Sequence, residues 1–256
     1  MKVLFYPDKV MEFSKMHKII DMCGIETTND PQDTYDVAVF WSHHKKILHP
    51  DAHLADIMAN KHVINIGGLD VTKTKVERIM MEVMGYNAIV PPEYNMQMPI
   101  IQKNDRQANH CISIIYNDSN YVKSKDVVCL RLLSDNVGDN YRTYRCFISG
   151  DHIVSSWENI YSDKSRFGKP ISRDRVKTSS WLSKEERALI VKYCAVYGTE
   201  FTELDIIRDA HDNRIYIVDN NNIPGRTNVW PGDEIYSNEV YEELADNFME
   251  LLNKWA

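Results

Sequence analysis

The 256-residue chain has no CxxC pair, no GxGxxG after its first strand-like run and no excess of basic charge, and it lacks any apolar stretch of bilayer-spanning length. Each absence closes a class. Five cysteines at 23, 111, 129, 146 and 194 are odd in number and widely spaced. They support neither a zinc knuckle nor a redox motif, and most lie in apolar runs as small core residues. Without the glycines that let backbone approach a pyrophosphate, a dinucleotide fold of the usual fingerprint is not indicated. The formal charge of -7 argues against a general nucleic-acid or anionic-membrane binder, although a local basic patch could still hold phosphates. The N-terminus, MKVLFYPDKV, carries an acid at position 8 and is too short and polar for a secretory segment. A cytoplasmic protein of a reducing compartment is the expectation, with no nucleic-acid or membrane partner. A hydrophobic content of 43% and a charged content of 26% suit a globular chain with one large core or two or three lobes.

Residues 1–66 alternate short apolar strands with helical segments. KVLFYP, DVAVFW and HVINI read as strands, while Val10 to Met22 (with Phe13, Met16, Ile19 and Ile20 on one face) and DAHLADIMA read as helices. That order predicts a parallel sheet in a Rossmann-like lobe. Another helix runs from Val71 to Gly85, with Val76, Ile79, Met80 and Val83 as its inner stripe and Gly85 as its stop. A β-rich middle follows: PIIQK, CISIIY and DVVCLRLL. YRCFISG and DHIVSSWE form a predicted hairpin turning at Ser149, Gly150 and Asp151. The polar, basic stretch 161–180 reads as a mobile loop. Its Arg166, Lys169, Arg173 and Arg175 are either solvated charges or a lid. Ser183 and Glu186 make a capping box for KEERALIVKYCAVYG, and an amphipathic helix from Ser237 to Trp255 closes the chain.

The segment LDIIRDAHDNRIYIVDNNNIPG, Leu204 to Gly225, reads as two apolar strands joined by a polar turn at Asp209, His211 and Asp212, which are expected to be exposed. With the turn centred near Asp212, Asp205 faces Asp219 across the ladder. Strand alternation places Asn221 on the same face as Asp219. Two carboxylates and an amide oxygen at one spot suit a hard divalent ion such as Mg2+, completed by substrate phosphates. The competing reading is a hairpin whose acids simply point into water.

Taken in order, these parts resemble the ATP-grasp superfamily along almost the whole chain. DNNNIPG, Asp219 to Gly225, is similar to that family's acid-x-Asn-x-x-Pro-Gly signature at a strand end. The resemblance implies α/β and α+β architecture with a Rossmann-like N-terminal lobe (1–70), a small β-rich central lobe (71–133) and a C-terminal α+β lobe (134–256). It makes Asp205, Asp219 and Asn221 a Mg2+ triad, and Lys75 and Lys103 the lysines that reach the ATP phosphates. Strand 127–133, with Leu130, Arg131, Leu132 and Leu133, becomes the hinge that reads adenine. Arg145 corresponds to the arginine that meets the transferred phosphate, or else pairs with Asp139. Arg226, just past the Pro-Gly turn, is a candidate for a substrate carboxylate or acyl phosphate.

The chain also departs from the pattern. The loop after Lys103, NDRQANH, has no glycine where backbone amides commonly approach phosphate, which leaves Arg106, Asn109 or His110 to make such contacts. Leu130 and Arg131 stand where the hinge often carries an acid or amide, and Asp219 stands where glutamate is common. His43 and His44 follow a strand end where substrate can approach, but read as a solvated loop. The implied activity is ATP-dependent ligation of a small-molecule or peptide carboxylate to an amine through an acyl phosphate, releasing ADP and phosphate. The alternatives are an ATP-grasp kinase of a small molecule and a non-catalytic peptide- or protein-binding module. A homodimer is the expectation by analogy with the family.

Overall fold

The computed structural model describes residues 1–12, 14–42, 49–90, 99–105, 112–115, 127–162, 168–221 and 237–256. Phe13, His43, His44, Arg106, Asn109, His110, Arg166 and Arg226, all singled out above, lie outside the described residues.

The N-terminal segment contains β1 (Lys2–Pro7), α1 (Lys15–Cys23), β2 (Glu26–Thr28), β3 (Val37–Trp41), α2 (Ala52–Asn60) and β4 (Val63–Ile64). The strands form an all-parallel sheet in the order β2-β1-β3-β4. Val3, Leu4, Phe5 and the whole of β3 are buried, as strands covered on both faces must be. The first helix begins later than the apolar spacing suggests. Ser14 accepts from the His17 amide and so fixes Lys15 as the first helical residue, while Gly24, at φ 61°, ends the helix. The three-residue strand β2, absent from the sequence reading, carries no apolar run and forms the sheet edge.

After a turn through Gly67, α3 (Lys73–Met84) starts at Thr72, whose side chain accepts from the Lys75 amide, and ends at Gly85 with φ 78°. Gly67 is obligatory: a Cβ there would sit 2.1 Å from the Tyr197 carbonyl oxygen. The central β-rich segment holds β5 (Ile100–Asn104), β6 (Ile112–Ile115) and β7 (Val127–Arg131), antiparallel in the order β6-β5-β7.

The C-terminal segment is built on a larger antiparallel sheet of β8 (Asn136–Val137), β9 (Asn140–Ser149), β10 (His152–Tyr161), β11 (Ser172–Val176), β12 (Phe201–Arg208) and β13 (Ile215–Asn221). Its order is β11-β10-β9-β12-β13, with β8 on β9. Helices α4 (Lys184–Tyr197) and α5 (Asn238–Trp255) complete it, and α4 carries the full Ser183/Glu186 capping box. One face, with Cys146, Ile148, Leu204, Ile206 and Ile217, packs on α3 and α4. Phe147, Trp157 and Phe201, on the other, pack on α1, α5 and the N-terminal sheet.

Stretch 161–180 differs from its sequence reading. Ser172–Val176 is not loop but edge strand, with Arg173 opposite Asn159 and Arg175 opposite Trp157. An edge strand has a solvated side and tolerates a polar, basic composition, so it carries no apolar signal.

Candidate active site

Strand β12 offers Glu203 and Asp205, two residues apart and therefore on one face, and β13 brings Asn221 and Asp219 opposite them. The expected facing of Asp205 and Asp219 is present. It is achieved with a β-bulge: Ile206 pairs with Ile217, Asp205 with Asp219, and Val218 is the extra residue between them. Ile217 therefore faces the core while Asp219, two residues on, faces the site. Asn220, buried, accepts from the Thr202 hydroxyl at 2.6 Å and donates to Thr199 Oγ1 at 3.2 Å, fixing the strand end that carries Asp219 and Asn221.

Cations surround this acidic row. Arg145, on β9 opposite Asp205, donates Nε to Asp205 Oδ1 at 2.7 Å and Nη2 to Oδ2 at 3.0 Å. This is a two-pronged pair, with Asp205 and not Asp139 as partner. Asn221 donates Nδ2 to the same carboxylate at 3.4 Å, which leaves its amide oxygen to another role. Lys73, at the start of α3, bonds Asp219. Asp219 keeps 36% of its side chain exposed, yet the protein around it is enough that desolvation alone would raise its pKa. The ion pair with Lys73, with Lys103 and Arg145 beyond, overcomes that and holds it below the usual carboxylate range. Lys103 is pushed the other way: desolvation lowers its pKa first and repulsion from Lys73 adds, against Asp219, Glu77 and Asp205. Lys103 makes no hydrogen bond among the described residues.

The nominated Lys75 is placed differently from Lys103. Its Nζ donates to the Gly67 carbonyl at 2.7 Å and lies 3.9 Å from the Tyr197 ring centroid, and burial brings its pKa down to about 8. Lys73, two residues earlier and not singled out from sequence, is the α3 lysine at Asp219. It stands three and seven residues before Val76 and Met80, on the inner stripe, which was the available signal. Glu77 was missed as well. It reads as a surface helix acid, but it is 2% exposed and accepts from the Ala88 amide at 2.8 Å, and desolvation raises its pKa to about 7 against the pull of Lys103 and Lys73.

Two buried charges lie under the row. Lys15 Nζ reaches Glu203 Oε1 at 2.5 Å, both side chains 1% exposed, and Arg145 stands 3.9 Å from the other Glu203 oxygen. Burial lowers the Lys15 pKa and Glu203 opposes the shift. Helix α1 is thereby tied to the sheet floor.

Strand β7 ends at Arg131, so Leu132 and Leu133, expected in the same strand, follow it as irregular backbone. Leu130 and Leu133 are buried. The Arg131 guanidinium meets Asp209 at 3.2 Å and Asp212 at 3.0 Å, and the Tyr216 hydroxyl donates to Asp212 at 2.6 Å. The backbone N–H of Arg131 goes to Ala88, that of Leu132 to Pro99 and that of Ser134 to the Asp209 carboxylate. Asp209 and Asp212 are therefore not the exposed turn residues expected. Asp209 is 3% exposed because it caps the Ser134 amide and pairs with Arg131, both distant in sequence.

Among the described residues no group of three or more His, Cys, Asp or Glu side chains could hold a metal ion. Two carboxylates with one amide oxygen nevertheless fit the Mg2+ mode in which protein supplies few oxygens and phosphate the rest.

No protein-family model and no curated protein sequence matches the chain. Solved structures do match in fold. D-alanine–D-alanine ligase from Bacillus anthracis aligns at a TM-score of 0.62 and 11% identity, over 99% of this chain and 96% of that one. The ATP-grasp ligase PsnB, complexed with precursor peptide PsnA2 and AMPPNP, aligns at 0.61 and 11% identity over 98% and 96%. PsnB with a minimal precursor, Mg and ADP aligns at 0.60 and 12% identity over 98% of both chains. The chain has the ATP-grasp fold, a mixed α/β and α+β architecture with a Rossmann-like start.

Proposed function

We propose that this protein is a cytoplasmic, Mg2+-dependent ATP-grasp ligase that joins a small-molecule or peptide carboxylate to an amine through an acyl phosphate, releasing ADP and phosphate. The observation that carries the reading is the facing of Asp205 and Asp219 beside Asn221, ringed by Arg145, Lys73 and Lys103. Asp205, Asp219 and the Asn221 amide oxygen would hold Mg2+, which would supply positive charge against that of the ATP phosphates. Arg145 and Lys73, now paired with those carboxylates, would turn to the phosphates as the acids turn to metal. Lys103, which makes no hydrogen bond among the described residues, would meet the same anion. Segment 127–133 would place adenine, and Lys75 would support the start of α3. Arg226 remains a proposed substrate contact and a homodimer the proposed assembly.

In this account the side chains position groups and balance charge, and no protein nucleophile takes part. The test is Mg2+-dependent ADP release with a panel of amino acids, small carboxylates and peptides. Stoichiometric free phosphate together with an amide product is expected; a phosphorylated product would make the protein a kinase.

A further inference from the structure

Beyond Arg145, the site face of the large sheet continues across β9, β10 and β11. Asn159 stands opposite Thr143 on one side and Arg173 on the other, one step along from the Arg145–Trp157–Arg175 row. Trp157 and Phe147 mark where α1 and α5 seal this face with apolar contacts. Past them the face is polar.

Among the described residues, three nitrogens there lack acceptors. Asn159 is 1% exposed, and its Oδ1 accepts from Arg173 Nε at 2.7 Å, which fixes the carboxamide orientation. Its Nδ2 is buried with no partner. A buried donor left unpaired is costly, and it marks a place where an acceptor belongs. Among the described residues the Arg173 guanidinium bonds only through Nε, so its two terminal nitrogens are unused. Neighbouring cations are differently occupied: Arg145 holds Asp205, Arg175 holds Glu243 and Lys15 holds Glu203. Among the described residues Arg173, unlike the other three, has no carboxylate partner.

We propose that Arg173 and Asn159 form a carboxylate-binding subsite beside Arg145. It would anchor an acidic group of the substrate that is not the one being activated. The planar guanidinium fork suits a carboxylate, Asn159 Oδ1 holds that fork through Nε, and the free Nδ2 offers a third donor once the group is seated. The proposal rests on the ligase reading, since it names what the substrate must carry. The acid is either a main-chain carboxylate or an acidic side chain of a peptide.

The test is calorimetric titration of the full chain, saturated with Mg-AMPPNP, with three probes. N-acetyl-alanine carries only a main-chain carboxylate, N-acetyl-glutamate α-amide only a side-chain carboxylate, and N-acetyl-glutamine α-amide neither. One of the two acids is expected to bind and the neutral probe is not. Arg173→Gln should weaken the bound acid by about ten- to a hundredfold, and Arg173→Lys by less, because it keeps charge but loses the fork. Asn159→Asp supplies Arg173 with an internal carboxylate, so it should fold and bind neither acid. Mg-AMPPNP affinity should stay unchanged in all three variants. Equal binding of the acid by wild type and Arg173→Gln, or no acid binding by nucleotide-loaded wild type, overturns the subsite. Failure of wild type to bind Mg-AMPPNP instead overturns the ligase reading.

Discussion

Asp219 stands opposite Asp205 because β13 carries one residue, Val218, without a partner in β12. Regular alternation would have put Ile217 and Asp219 on one face; the bulge sends the isoleucine to the core and the aspartate to the site. Each carboxylate then meets its own cation, Arg145 or Lys73, so the two acids can sit side by side.

Lys73 and Lys75 are two residues apart and meet different partners, Asp219 for the first and the Gly67 carbonyl and Tyr197 ring for the second, so the proposed function gives them different tasks. Replacing Lys73 with methionine removes a cation at Asp219 and should weaken Mg-AMPPNP binding by about tenfold, with little change in melting temperature. Replacing Lys75 with methionine removes the bond to the Gly67 carbonyl and the contact with Tyr197, and should lower the melting temperature while leaving nucleotide affinity near wild type. The reverse pattern in calorimetry and thermal melts would exchange their roles.

Glu77 makes stability depend on pH. Its folded pKa of about 7 lies above the ordinary 4.5, so the folded state binds the proton more tightly than the unfolded chain. That contribution is complete below about pH 4.5 and is lost as pH rises through 7. Glu77→Gln, which can still accept from the Ala88 amide, should match wild type near pH 5 and exceed it at pH 8 by on the order of 3 kcal/mol. Denaturant melts at the two pH values measure the difference; an equal effect at both would contradict it.

The Lys15–Glu203 pair ties α1 to the floor of the site. Lys15→Met takes the nearest cation from a buried carboxylate and should cost about 3–5 kcal/mol, while Lys15→Met with Glu203→Gln should recover much of the loss. If the double variant is as unstable as the single one, the buried charge is not the cause.

The sequence made some of this legible because single residues dictate it. Ser183 with Glu186 marks a helix start, Gly85 marks a helix end, and the spacing from Asp205 to Asp219 forecast their facing. That forecast assumed a turn centred near Asp212; the observed pairs Arg208–Ile215 and Ile207–Tyr216 centre the turn half a residue earlier, and Val218 makes up the difference. Tertiary partners hid the rest. Nothing local distinguishes Lys73 from Lys75, or Glu77 from a solvated helix acid, until β5 and β13 are in place. Arg173 lay in a stretch whose composition reads as loop, and only pairing with β10 turns it toward Asn159.

The central claim is that Asp205, Asp219 and Asn221 form a Mg2+ platform for ATP, and titration of AMPPNP with and without Mg2+, on wild type and Asp219→Asn, tests it most directly. The account predicts tight binding by wild type that depends on Mg2+, and loss of at least about tenfold in affinity in the variant with the fold retained. Wild-type binding that is indifferent to Mg2+, or a variant that binds Mg-AMPPNP as well as wild type, would contradict it.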